Sequence, residues 1–338
     1  MSSLQICVSE FLTTYLMETR SSSPQTQKTY RECFSQLFRF LYEKRGIKPL
    51  EATFDDIGGD TIPSFLHWLE DERGCKESTR NLRLATLKSF CSYLQFKAPD
   101  QLSLCTDVHR IKNKPVREEG MKYLSEEAVS AILTAAGDSD LRHLAILQLA
   151  YDSAARASEI CTLPIGKLEL RSPKAKQASA VHLYGKGAKK RTVPIMPQTA
   201  GVLRLYIKRY RGDASDKDPL FCGRGGSALS SEGLNYILSK YVEQARRQSP
   251  GLFRIKVSAH TLRHSKATHM LQNGVPLVTI SEILGHESIQ TTQKTYAEVT
   301  PSMKVEALQK ASSVVLPSAE HTPSREEELL DWFKTKMF

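Results

Sequence analysis

Five short segments in the second half of the chain carry side chains suited to chemistry on an anionic group. In DSAARASEICTL, Arg156 and Glu159 stand three residues apart, a spacing that on a helix is ordinarily a structural ion pair. In GKGAKKR (185–191), Lys186 sits between two glycines that let the backbone approach a ligand closely. The GxxxxGK[ST] spacing of a phosphate-binding loop is absent there. In SAHTLRHSKATHML (258–271), Ser258 can cap a helix that puts His260, Arg263 and His264 on one side. Two histidines at i,i+4 suggest zinc, but HTLRH lacks the glutamate of HExxH and puts an arginine between them, which opposes a cation. In LGH, Gly285 marks a helix end with His286 just beyond it, and TTQKTYAEV contributes Tyr296. Taken singly, each is more often a structural residue than a functional one.

Taken in order they read R…K…HxxR…H…Y, and that combination has no bland explanation. The segments GKGAKKR, HTLRHSKATHML and LGHESIQTTQKTY closely resemble the tyrosine recombinase (phage integrase) family, over essentially all of residues 122–314. The resemblance implies metal-independent phosphodiester exchange. Arg156 and Arg263 would hold the non-bridging oxygens, and Tyr296 would attack phosphorus to give a 3′-phosphotyrosine. His260 would take the tyrosine proton, Lys186 would protonate the departing 5′ oxygen, and His286 would bond a phosphate oxygen. Glu159 would support the cluster from behind. No cofactor and no metal are implied. Where the family often has glycine two residues before its first arginine, this chain has Ala154, so that turn is expected to differ. The implied partners are paired double-stranded DNA sites and three further copies of the chain, a homo-tetramer that passes through a Holliday junction. The expected role is that of an integrase or transposase of a mobile element. A chromosome-dimer resolvase of the same family and a type IB topoisomerase are the alternatives.

The elements that must position these residues follow from periodicity. Residues 25–45 repeat apolar side chains (Tyr30, Phe34, Leu37, Leu41) at helical spacing, and Gly46 ends the run. A shorter helix is expected after Pro63, and another over 76–96, with Leu82, Leu87, Phe90 and Leu94 apolar. Lys76, Arg80 and Arg83 follow one another at helical spacing on a different side of that helix and are the expected DNA-facing stripe. Residues 106–121 read as a basic linker. Beyond it, 141–150 read as a buried helix and 181–195 as a hairpin whose Lys189, Lys190 and Arg191 are expected to contact DNA. Helical periodicity returns over 198–211, 231–247, 259–273 and 277–284, and Thr291 or Thr292 is expected to start a short helix leading to Tyr296. The expected fold is therefore an α-helical N-terminal core-binding domain (1–105), a linker (106–121) and a mixed, mainly helical α+β catalytic domain with a small antiparallel sheet (122–314). A tail (315–338) completes it, where Ser324 and Glu327 have capping-box spacing and Leu330, Phe333 and Met337 form a stripe able to dock on a neighbouring subunit.

Composition narrows the setting. The 338 residues carry 47 Lys+Arg against 37 Asp+Glu, a net charge of +10 that suggests a polyanionic partner. The charge is uneven: 0 over 1–105, +12 over 106–314 and −2 over 315–338. The seven cysteines include no CxxC pair, which argues against both a disulfide framework and a cysteine zinc site. No apolar run nears the roughly 20 residues of a membrane span, and the first residues have no secretory-signal pattern. The expected location is the cytoplasm, associated with the nucleoid of a prokaryote.

Overall fold

A computed structural model describes residues 3–19, 24–116, 122–172, 174–185, 190–296 and 332. It divides into two units, residues 1–118 and 119–338. The hairpin residues Lys186 and Lys189, and the tail residues Leu330, Phe333 and Met337, lie outside the described residues.

The first unit is helical. Helix α1 (Ser3–Glu10) runs on into a π-helical turn, Phe11–Thr19, and is followed by α2 (Pro24–Arg45), α3 (Thr61–Asp71), α4 (Glu77–Lys97) and α5 (Leu102–Arg110). Gly46, at φ +68°, ends α2 in a conformation that favours glycine. Aromatic rings knit the elements together: the Phe90 ring meets Phe11 at 5.2 Å and Phe34 at 5.1 Å, both edge to face.

Two expectations fail here, for related reasons. Helix α4 buries Arg80 (7% exposed) and Arg83 (4%), while Leu82 is 48% exposed. The buried stripe runs Arg80, Arg83, Leu84, Leu87, Phe90, Cys91, Leu94, which is itself a helical period. The two arginines lie on the apolar face, where they act as long amphipathic side chains with fixed heads. Arg80 Nη1 donates to Lys112 O (3.0 Å), and Arg83 donates to Thr29 O (2.9 Å) and pairs with Glu32 (3.0 Å). Of the expected DNA stripe, Lys76 alone is exposed, at the N-cap of α4. The region read as a linker also begins inside a helix, because Cys105 and Val108 are buried one turn apart on α5. Beyond α5 the chain is laid along α4: Lys88 Nζ donates to Ile111 O (2.6 Å) and Asn81 Nδ2 to Lys114 O (2.8 Å).

The second unit packs helices around a small sheet. In order come α6 (Glu126–Gly137), α7 (Leu141–Asp152), α8 (Ala157–Cys161), β1 (Leu168–Glu169), β2 (Ser179–Tyr184), β3 (Lys190–Ile195), α9 (Pro197–Tyr210), α10 (Ser231–Gln248), α11 (Ala259–Gln272), α12 (Leu277–Leu284) and α13 (Ile289–Tyr296). The strands are antiparallel in the order β1-β2-β3, with Val181 opposite Val193. Helix α7 supplies Ala145, Ile146, Leu147, Leu149 and Ala150 to the core, as expected of a helix apolar nearly all round. The caps are those the sequence suggests: Ala128 N donates to Ser125 Oγ (3.2 Å) and Thr261 N to Ser258 Oγ (3.3 Å). Helix α13 starts at Ile289, earlier than the expected Thr291 or Thr292. Thr292 is instead buried inside it.

Candidate active site

Helix α7 stops at Asp152 and the chain turns sharply before α8. Ala154 makes that turn at φ +48°, a left-handed conformation that ordinarily favours glycine, so the alanine does not keep the backbone out of it. Arg156 then caps α8: its amide donates to Glu159 Oε2 (2.7 Å) and its Nη1 to Glu159 Oε1 (3.1 Å).

The end of α12 ties the arginines together. A helix C-terminus leaves backbone carbonyls without intrahelical partners and carries partial negative charge. Here three successive carbonyls are taken by three guanidinium groups. Arg191 Nε donates to Ile283 O (2.9 Å), Arg263 Nη2 to Leu284 O (2.7 Å) and Arg156 Nη2 to Gly285 O (3.2 Å). Arg263 Nη1 also donates to Ala154 O (2.8 Å), so the turn before Arg156 and the end of α12 are both fixed to α11. Gly285 is required twice over. Its φ is +62°, and a Cβ there would stand 2.9 Å from Arg191 Cδ.

Glu159 is buried below this cluster. Burial alone would raise its carboxyl pKa, but hydrogen bonds from Arg191 and the Arg156 amide, with the charges of both arginines, hold it below the ordinary range. Arg191, expected at the DNA surface, forms a forked pair with Glu159 at 2.7 and 2.6 Å. Its side chain is directed inward because only there does the guanidinium meet both a carboxylate and the end of α12. Lys190, next to it, is exposed. Arg156, Lys190, Arg191 and His286 line a cleft of about 460 Å³. Glu282 and Glu287 also line the cleft, so Arg156, Lys190, Arg191 and Arg263 stand against these two carboxylates and the buried Glu159, and a small positive excess remains for an anion.

The histidines are held neutral. His286 Nδ1 shares a proton with Thr292 Oγ1 (2.8 Å), and burial with the charges of Arg263 and Arg156 pushes its pKa down to about 4. His260 is exposed on α11 and shifted down by desolvation and by the same two arginines. Burial, then Arg156, lowers Arg263 to about 10, so it stays charged at neutral pH. Tyr296 is 2% exposed, and burial pushes its hydroxyl up to about 12 despite the opposing charge of Arg263. The Tyr296 hydroxyl is 3.2 Å from Nδ1 of His264, a residue the sequence raised only as a zinc ligand.

The far side of α11 is anchored just as firmly. Leu124 N donates to Ser265 Oγ (2.9 Å), and His269 bonds both Leu124 O and Tyr151 Oη at 2.8 Å. Lys266 pairs with Asp152 (3.3 Å), which also accepts from Met196 N (2.7 Å), joining α11, α7 and the end of β3. The structure thus brings Arg156, Glu159, Arg263 and His286 to the end of α12, with His260 beside them on α11 and Tyr296 packed behind.

A helical first unit, a mainly helical second unit with a three-stranded antiparallel sheet, and an arginine–histidine cluster beside a tyrosine together define a known enzyme class. Residues 122–303 match the phage integrase family, and residues 8–97 match the phage integrase N-terminal SAM-like domain. The chain belongs to this family, the tyrosine recombinases, which are DNA strand-transferring enzymes. It is 34% identical to a putative integrase/recombinase, y4rC, of Sinorhizobium fredii, over 92% of both chains. It is 31% identical to the tyrosine recombinase XerC of Herpetosiphon aurantiacus, covering 82% of this chain and 86% of that one. In fold it is similar to the Tn1549 transposon integrase in complex with a circular intermediate DNA (TM-score 0.67, 15% identity, 90% of this chain and 99% of that one). It is also similar to the XerH site-specific recombinase bound to difH substrate (TM-score 0.64, 20% identity, 92% and 84%).

Proposed function

We propose that the chain recombines DNA at specific sites by cutting and rejoining strands through Tyr296, with side-chain cations in place of a metal. One observation carries this reading. Arg263 and Arg156 bond adjacent carbonyls, Leu284 and Gly285, directly before His286, so three phosphate-binding side chains share one backbone anchor. In the cleavage step Tyr296 Oη forms a bond to phosphorus as the bond to the 5′ oxygen breaks. Arg156, Arg263 and His286 stabilise the charge on the non-bridging oxygens. His260, kept neutral beside two arginines, takes the tyrosine proton, and Lys186 gives one to the leaving 5′ oxygen. The phosphotyrosine conserves the bond energy, and a 5′ hydroxyl from another strand reverses the step. Trapping a covalent adduct on a nicked site in EDTA tests this. Tyr296→Phe should give none, and an adduct in that variant would remove Tyr296 as nucleophile. A topoisomerase would relax any supercoiled plasmid, whereas a recombinase joins a fixed pair of sites.

The biological role we favour is integration or transposition of a mobile element, supported by the similarity to the putative integrase/recombinase over 92% of both chains. Chromosome-dimer resolution is the second reading, supported by the XerC relative. DNA adjoining the gene separates them, since repeats at element ends fit only the first. The net charge of +12 over 106–314 supports a DNA partner held largely through phosphates, with binding that weakens steeply with salt. We further propose a homo-tetramer in which Leu330, Phe333 and Met337 of the tail dock on a neighbour. Deleting 318–338 should then abolish recombination, and unchanged synapsis would refute the docking. A cytoplasmic, nucleoid-associated location suits this activity, and no helix among the described residues is long and apolar enough to cross a membrane.

A further inference from the structure

We propose that His264 is a positioning residue that holds the Tyr296 hydroxyl in a packed, non-attacking position, so that this hydrogen bond must break before cleavage. The proposal rests on the reading of Tyr296 as the nucleophile. The Tyr296 ring lies in a small apolar cluster with Ala154, Ala267, Leu271, Ile280 and Leu284, apart from the main core of the second unit. Its hydroxyl meets His264 Nδ1 at 3.2 Å, with ring centroids 6.1 Å apart. The cleft beside Arg156 and His286 is not lined by Tyr296. On its other side, the His264 ring meets His260 edge to face at 4.7 Å. His264 therefore joins the exposed histidine proposed as base to the buried phenol, whose oxygen it meets.

That contact admits two roles, base or holder, and the protonation states decide between them. Burial, then His260 and Arg263, lowers His264 to about 4, while burial raises Tyr296 to about 12. A proton passing from this phenol to this imidazole moves far uphill, so the bond joins two neutral groups. A neutral phenol donating to a neutral imidazole is a satisfied pair that packing encloses, and opening it exposes both to the cost of a lost partner. The restraint is doubled along α13. Thr292, one turn before Tyr296, meets His286 Nδ1 at 2.8 Å, so two histidines clip the same face of the helix.

The test uses the full chain on a nicked duplex with a single binding site, reading the first-order rate of covalent adduct formation at saturating DNA. His264→Phe keeps a ring and removes the acceptor, and His264→Asn keeps an acceptor near the Nδ1 position. His264→Phe should speed adduct formation about three- to tenfold, the population change that loss of one neutral hydrogen bond brings. His264→Asn should stay near the unaltered rate. Nitration of Tyr296 in the DNA-free protein, followed by mass spectrometry, should rise in His264→Phe only. Should His264→Phe fold poorly, His264→Leu takes its place with the same two readouts. Equal slowing in the acceptor-free and acceptor-keeping variants, with nitration unchanged, would overturn the proposal and leave Tyr296 as nucleophile. An adduct that persists in Tyr296→Phe would instead remove the nucleophile reading itself.

Discussion

Arg191 and Glu159 meet in a forked ion pair, Nη1 to Oε1 at 2.7 Å and Nη2 to Oε2 at 2.6 Å, with side chains only 10% and 5% exposed. The pair lies between the sheet and the Arg156 turn, and through Arg191 Nε it reaches the end of α12. Removing one partner of such a pair strands a buried charge. Arg191→Gln or Glu159→Gln should each destabilise the protein by about 3 kcal/mol, and the double variant should lose clearly less than the sum. Urea denaturation of the four proteins measures the coupling, and simple additivity would show that the pair does not act as a unit. Arg191→Lys should recover little, because a lysine supplies no fork.

Ala154 holds a left-handed turn while fully buried, and its carbonyl accepts from Arg263. A Cβ in that conformation costs about 1–2 kcal/mol, part of which glycine returns as unfolded-state entropy. Ala154→Gly should therefore stabilise the chain modestly, by about 0.5 kcal/mol, whereas Ala154→Val should cost about 2 kcal/mol or more because a β-branched side chain resists positive φ. Thermal melting of the two variants gives the order directly. A valine variant as stable as the alanine protein would mean that the turn relaxes.

Much of this arrangement was legible from spacing. The helices of the second unit follow apolar periods, Ser125 and Ser258 cap as their side chains suggest, and the hairpin is readable from VHLY and RTVPI around a glycine-rich turn. What spacing hid was direction. Arg80 and Arg83 each stand four residues before a buried leucine of α4, Leu84 and Leu87, so their own positions carried the signal, but charge suggested the outside. Arg191 looked like one more basic turn residue, and no local pattern announces a partner 32 residues away. His264 was visible at i+4 from His260, yet its contact with Tyr296 depends on how α13 folds back onto α11.

Arg83 also gives a clear contrast with a DNA-facing role. Its guanidinium is buried, bonded to Thr29 O and Glu32, so it joins α4 to α2 rather than to a phosphate. Arg83→Ala should destabilise the first unit by about 2–3 kcal/mol through lost packing and an unpaired carbonyl. At a temperature where the variant remains folded, DNA affinity and its salt slope should be unchanged. A reduced salt slope in the folded variant would restore Arg83 to the interface.

The neutral histidines make stability depend on pH in a defined window. His264 and His286 both lie at about 4 in the folded chain, below the unfolded imidazole value of 6.5. A depressed value means that the unfolded chain binds protons first, so their contribution is complete above pH 6.5 and is withdrawn as the pH falls towards 4. Glu159 acts lower down. Its depressed carboxyl contributes fully above the ordinary 4.5 and loses that contribution as the pH falls through its folded value. Between pH 7.5 and 4.5 the two histidines together should withdraw about 3–4 kcal/mol, after allowance for solvent reaching His286. Urea denaturation at the two pH values measures the loss, and replacing both residues by phenylalanine should reduce it, leaving the part that belongs to His143, His260 and His269, also shifted down. A double variant with the full pH loss would assign that loss to other groups and show that His264 and His286 are not held neutral by the fold.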